Sequence, residues 1–232
     1  MCMSRPSATV GAMLLAIACI AAPSMADAGE PPAAHWRDLV RRFSAEHFHH
    51  PAWGFSHSVR DYELATALAA EDHVALDDDV LFASAFLHDI AAFAPWDREK
   101  EGIDHADEGA RVVDGILQGT GFPMAKIEAV RAAIRTHMFD RAPAGPEATY
   151  LHDADALDWL GAIGVARIIA TVDAGGGDPD GPKAVQMLEE NLVSVPAGVR
   201  SAAARKRLPM LEAELRGFIG RLRAETDNLR TL

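Results

Sequence analysis

The sequence predicts an all-α protein, a single-domain helical bundle, and three observations carry that prediction. Beyond residue 34, apolar residues recur at helical spacing in one stretch after another, and no segment alternates convincingly with period two. The chain has 232 residues, 49% of them hydrophobic and 24% charged, which is enough apolar material for one sizeable core. Neither an internal repeat nor a linker interrupts the pattern.

The first element, residues 1–28, reads as a signal peptide. Arg5 marks a weakly positive start, Ala8 to Ala22 is an apolar run, and Ala26-Asp27-Ala28 offers a small-residue cleavage site. The mature chain then begins near Gly29 as one domain over 29–232, with its core at about 36–223, exported and periplasmic. The apolar run falls short of the roughly 20 residues that a membrane-spanning helix needs. Lipidation at Cys19 is disfavoured because Ala16 stands where a leucine is expected. Cys2 and Cys19 both lie in the leader, so any metal held by the mature chain is bound by histidine and carboxylate.

Helices follow at about 35–49, 57–72, 79–94, 105–118, 123–138, 154–172 and 183–193, with a long last helix at about 196–224. The segment from Ala174 to Lys183, rich in Gly, Pro and Asp, is a surface loop. It lacks the G-x-x-x-x-G-K-[ST] order and the preceding strand of a phosphate loop. A formal net charge of −12 disfavours nucleic-acid polymers and anionic membranes as partners, and the short run Arg205-Lys206-Arg207 does not reverse it.

The chemistry gathers on the inner stripes of these helices. His88-Asp89 lies inside Phe86-Leu87-His88-Asp89-Ile90, an apolar helical run in which an unpaired charge is costly. His57 leads the stripe Leu64 and Leu68, His105 leads Gly109, Val112 and Ile116, His137 closes Ile127, Val130 and Ile134, and Asp153 begins Leu157 and Leu160. A single inward histidine is ordinary. Five helices each aiming a His or Asp inward suggest a metal site in the bundle, with ligands suited to manganese, iron, cobalt, nickel or zinc.

On these residues the chain resembles the HD superfamily of metal-dependent phosphohydrolases, whose signature is a His, a His-Asp doublet and a distant Asp. The matching residues are His57, His88 with Asp89, and Asp153. The likeness is closer to the small bacterial YedJ/YpgQ-like branch through Phe122-Pro123, Lys126 to Val130, Asp153-Ala154-Asp155-Ala156-Leu157 and Leu160 to Arg167. It implies a helical domain with one or two divalent ions held by His57, His88, Asp89 and Asp153. His105 and His137 would serve as second-metal ligands or phosphate contacts, and Asp89 as the bridge between two ions. One departure is Ala156, where the branch carries an arginine.

The implied activity is hydrolysis of a small phosphate ester or anhydride, with a nucleotide as one candidate, by attack of a metal-activated water. Asp89, Arg60 and Asp155 are the candidate catalytic residues, Arg60 as a phosphate contact and Asp155 or Asp158 as a base or as the orienter of a ligand histidine. Lys126, Arg135 and Arg141 are further candidate cations, and the segment from Ala94 to Gly102 is expected at the rim of the site. A diiron oxygenase, kept open by His105 and His137, and a metal-binding or sensing module without turnover are the alternatives. A homodimer is the default among soluble oligomers.

Overall fold

The computed structural model of the protein describes residues 35–232, and the leader expected at residues 1–28 lies outside them. Among the described residues there are nine α-helices and no strand: α1 (Trp36–His47), α2 (Phe55–Glu71), α3 (Asp78–Leu87), α4 (His105–Leu117), α5 (Ile127–Arg135), α6 (Pro146–Asp158), α7 (Gly161–Ile169), α8 (Gly181–Gly198) and α9 (Ala202–Glu225). Side-chain caps define several starts. Asp77 accepts from the backbone N–H groups of Asp79 and Val80, Asp104 from Ala106 and Asp107, Asp180 from Lys183, and Ser201 from Ala204. Each cap satisfies donors that the first helical turn leaves orphaned.

Two apolar clusters hold the helices together. One is rich in aromatic rings from α1, α3 and the segments around α4 and α5, with Trp36, Phe82, Phe86 and Phe122 at its centre. The other joins α2, α6, α8 and α9 through Leu68, Leu151, Leu188 and Leu215. Each such fully buried side chain contributes roughly 2–3 kcal/mol relative to exposure. Helix α3 feeds both clusters, Leu81 and Ala85 into one and Phe82 and Phe86 into the other. The seam between the clusters lies along α2, α3 and α6.

Several helices are shorter or more broken than the periodicity predicts, and the breaks matter. The run expected at 79–94 ends as an α-helix at Leu87 and resumes only as a 3-10 turn over Ile90–Ala92. The run expected at 154–172 is two helices. Its first part starts earlier, at Pro146 in the favourable first-turn position, and stops where Leu160 becomes extended before Gly161 opens α7. The run expected at 123–138 opens with a 3-10 turn at Met124–Lys126 and ends at Arg135. Pro196 does not start the last helix: α8 continues through it to Gly198, and α9 begins after the Ser201 cap.

A tight turn ahead of α2 sets the register of that helix. The Gly54 N–H donates to the His50 carbonyl at 3.0 Å, and the Phe55 N–H donates to the Phe48 carbonyl at 3.0 Å. A Cβ on Gly54 would stand 2.3 Å from the His50 oxygen and 2.7 Å from the Phe48 oxygen, both of them backbone atoms that cannot swing aside. Gly54→Ala is therefore expected to destabilise the fold by about 1–3 kcal/mol and to lower the melting temperature by several degrees. Thermal unfolding followed by circular dichroism checks this.

Candidate metal centre

Helix α2 brings the first two polar residues to the seam. His57 and Asp61 are one turn apart on one face, and both are buried. The break after α3 supplies the next two. Consecutive residues on a continuous helix diverge by about 100°. His88 keeps helical dihedrals, whereas Asp89 turns to φ −93°, ψ 12°, and the two side chains meet, His88 Nε2 3.2 Å from Asp89 Oδ2. The doublet thus sits at a helix end and not inside a helix as expected from the apolar run. Gly109 lets α4 lie against this turn, since even a Cβ there would be 3.2 Å from the His88 carbonyl oxygen.

Three imidazoles have their orientation fixed from behind. His88 Nδ1–H donates to the Ala85 carbonyl at 2.9 Å and His137 Nδ1–H to the Ile134 carbonyl at 2.7 Å. His57 Nδ1–H donates to Asp158 Oδ2 at 2.9 Å. Carbonyls and carboxylates only accept, so each ring carries its hydrogen on Nδ1 and turns an Nε2 lone pair to the centre when neutral.

Most groups facing those lone pairs are acceptors too, and the donor among them is Arg167 Nη2, 3.4 Å from His57 Nε2. His57 Nε2 lies 3.2 Å from His88 Nε2, 3.1 Å from Asp61 Oδ2, 3.4 Å from Asp155 Oδ1 and 3.6 Å from Asp89 Oδ2. The other Asp89 oxygen faces away, 3.7 Å from both His105 Nε2 and His137 Nε2. So many acceptors in a buried volume need a cation or protons. Protons fill this role in the metal-free site. Burial alone would depress His57, but Asp61 and hydrogen bonds with Asp155 and Asp158 push it up to about 10. Burial opposes Asp89 at His88 as well, yet the carboxylate raises that ring to about 8. His137, buried beside His88, goes down to about 4. Burial, against the pull of His57 and with Asp155 and Asp158 nearby, raises Asp61.

The family model of the HD domain matches residues 54–160. A predicted HD superfamily hydrolase from an uncultured Thermotogales bacterium is similar at 27% identity and a TM-score of 0.55, over 82% of this chain and 90% of that one. Bacillus subtilis YpgQ, at 21% identity and a TM-score of 0.62, is matched over 82% of this chain and 95% of its own, and shares the fold. YpgQ in complex with ADP is matched at 18% identity with a TM-score of 0.61, over 82% of this chain and 97% of that one. No protein of curated function matches the sequence.

Within the matched residues 54–160, His57, His88 and Asp89 come together as the signature suggests, but Asp153 does not join them. Its carboxylate accepts from the backbone N–H groups of Arg200 and Ser201 at 2.9 and 2.6 Å and lies 3.0 Å from His152 Nδ1, tying α6 to the segment before α9. The distal carboxylate at the centre belongs to Asp155, expected as a catalytic group. Helix α6 is buried from Tyr150 to Asp158, so no exposed face marks which aspartate points where. Asp158 orients His57, one of the roles expected for it. Arg60 does not line the cavity. Its Nε donates to Asp158 Oδ1 at 2.9 Å and its Nη2 to Oδ2 at 2.7 Å, so it steadies the residue that steadies His57. Lys126 pairs with Asp77 and Asp79, and Arg135 and Arg141 pair with Asp107, all away from the centre.

The cavity over the centre has a volume of about 440 Å³ and reaches Asp89, His105, His137 and Asp155. Arg167 is the one cationic Lys or Arg side chain among its described lining residues, and its guanidinium lies 3.6 Å over the Trp159 ring while donating to Asp158 Oδ2 at 3.0 Å. Asp97 and Glu99, from the segment expected at the rim, line the cavity. Ala156 is fully buried in the second apolar cluster, so the cation near Asp155 comes from α7, with Arg167 Nη1 3.8 Å away. The sequence reading passed over Asp61 and Arg167 as site residues. Asp61 carried a signal, since it lies four residues after His57 on the same helical face; Arg167 carried none beyond its place in a motif.

The donor set fits a divalent ion. An ion with ligand bonds of about 2.0–2.2 Å holds neighbouring ligand atoms about 3 Å apart, and the contacts that join His57 and His88 to each other and to Asp61, Asp89 and Asp155 run from 3.1 to 3.6 Å. Ligand imidazoles must be neutral, and His57 and His88 are raised to about 10 and about 8. Metal affinity is therefore expected to rise with pH from 6 to 9, with proton release on binding at pH 7, which titration calorimetry in two buffers of different ionisation heat measures. Asp158→Ala, which removes the acceptor that fixes the His57 tautomer, is expected to weaken binding by about 10- to 100-fold; the same calorimetry reads it.

Proposed function

We propose that the protein is an exported, divalent-metal-dependent phosphohydrolase acting on a small phosphate ester or anhydride. The observation that carries this reading is the convergence of histidine Nε2 atoms and carboxylates, joined by the Arg167 guanidinium 3.4 Å from His57 Nε2, beneath a cavity of about 440 Å³ that Asp89, His105, His137 and Asp155 line. The likeness to a predicted HD superfamily hydrolase supports it. A bound divalent ion there lowers the pKa of water and neutralises charge on phosphoryl oxygens.

The chain's own residues do the remaining work. His57, His88, Asp89 and Asp155 hold the ion's position, with Asp158 and Arg60 behind His57. Arg167, with Nη2 3.4 Å from His57 Nε2 and Nη1 3.8 Å from Asp155 Oδ1, offers a guanidinium to a phosphoryl oxygen beside the ion's position. Stacking on Trp159 and pairing with Asp158 preset its direction, and electrostatic stabilisation of this kind is most of what phosphoryl transfer asks of a protein. Arg167 is the single Lys or Arg among the described residues of the cavity lining, with Asp97 and Glu99 in the same lining. Trp53, Phe139 and Trp159 give apolar surface for the group that carries the phosphate, and the ADP complex of YpgQ supports a nucleotide as one such substrate.

Asp89 favours two ions. Its oxygens face opposite ways, one to His57 and His88 and the other to His105 and His137, as a bridging carboxylate requires. That same pair of positions keeps a diiron oxygenase as the second reading.

The test is a screen of phosphorylated compounds with the protein loaded with manganese or cobalt, alongside iron-loaded protein assayed for oxygen uptake. Phosphate release without oxygen demand is expected. His88→Ala is expected to lose both the metal and at least about 100-fold in turnover while retaining helical circular dichroism. Oxygen consumption coupled to substrate, with no phosphate released by hydrolysis, would replace the first reading by the second.

A further inference from the structure

The strangest group at the centre is Asp61. Its side chain has no exposure, and neither carboxylate oxygen has a hydrogen-bond partner. Other buried carboxylates of the region are engaged in recognisable work. Asp158 accepts from His57, Arg60 and Arg167, and Asp153 accepts from two backbone N–H groups. Arg60, next to Asp61 in the chain, spends its guanidinium on Asp158. A buried carboxylate left without donors costs several kcal/mol, and a helix face continuing to Ala65 and Leu68 would accept an apolar residue in its place.

What Asp61 does face is the ion's position. Its Oδ2 lies 3.1 Å from His57 Nε2 and 3.6 Å from His88 Nε2. One ligand atom from each of His57, Asp61, His88 and Asp155 fits within a mutual separation of 4.8 Å, the span of one coordination sphere. The HD signature of a His, a His-Asp doublet and an Asp does not contain this residue.

We propose that Asp61 is a fifth protein ligand, giving the position shared by His57, His88, Asp89 and Asp155 a two-histidine, three-carboxylate set that selects a six-coordinate, oxygen-preferring dication such as manganese(II) over zinc(II). The inference rests on the metal-dependent reading above and adds a residue and a selectivity to it. Three carboxylates outweigh the charge of a dication by one. Hard, oxygen-rich sets suit manganese and magnesium, whereas zinc is best served by four ligands with nitrogen or sulfur among them. One coordination position remains for water or a phosphoryl oxygen.

The test uses the full chain stripped of metal with a chelator. Manganese binding is followed by the loss of the free-ion electron paramagnetic resonance signal, zinc binding by competition, and coordination number by the visible absorption of cobalt(II). Asp61→Asn and Asp61→Val are both expected to fold, because Asp89, Asp155 and Asp158 remain around His57 and the helix face continues to Ala65 and Leu68. Both are expected to weaken manganese binding by about tenfold or more, to weaken zinc binding far less, and to intensify the cobalt band as one ligand is lost. Variants that fold and keep the parent's manganese affinity and cobalt spectrum would overturn the role of Asp61 while leaving the metal-dependent reading in place. Variants that melt lower without metal yet keep manganese affinity would show a counter-ion to His57, and overturn it equally. A parent chain that binds none of the three ions would remove both readings.

Discussion

The commitment of three Nδ1–H groups to acceptors behind them is the interaction on which the rest of the site depends. Once Ala85, Ile134 and Asp158 hold the hydrogens of His88, His137 and His57, the remaining nitrogens have nowhere to turn but inward. Two of those acceptors are carbonyls three residues back along the chain. Ring direction there follows from the helix ends, and costs no further residue. The third is a carboxylate on α6, so the α2 and α6 backbones must hold their spacing for His57 to remain aimed.

The fold meets that demand through its breaks as much as through its helices. A continuous α3 would send His88 and Asp89 in different directions, and the change of dihedrals at Asp89 joins them. The end of α5 frees His137 in the same way, and the start of α4 presents His105. Apolar packing makes the breaks affordable: Phe86, Leu87 and Ile90 bracket the doublet in the aromatic cluster, and Ala156 and Leu157 continue the other cluster beside Asp155 and Asp158. Rigid surroundings keep a concentration of like charges from relaxing apart.

Charge balance is arranged on one side only. The centre is rich in carboxylates, its guanidinium complement is Arg167 beside His57 and Asp155, and Lys126, Arg135 and Arg141 are bound to carboxylates of their own. Arg60 illustrates the arrangement. Its position three residues after His57 suggests a phosphate contact, but Asp158 lies closer and takes two of its donors. Its influence on the centre passes through Asp158 to the His57 ring.

The all-helical class, the inward histidines and the His88-Asp89 doublet were legible in the sequence, because helical periodicity and the cost of an apolar-flanked charge are local properties. The resemblance to HD proteins was legible for the same reason, in short contiguous motifs. Which of Asp153 and Asp155 faces the centre was not. Both lie on a helix buried over most of its surface, and there periodicity has no polar side to count from. The tertiary structure alone decided that Asp153 ties down the segment before α9, that Arg60 stands behind Asp158, and that Arg167 reaches His57. Each of those outcomes depends on which partner is nearest across the bundle, a relation between residues roughly 50 to 110 positions apart that no local pattern encodes.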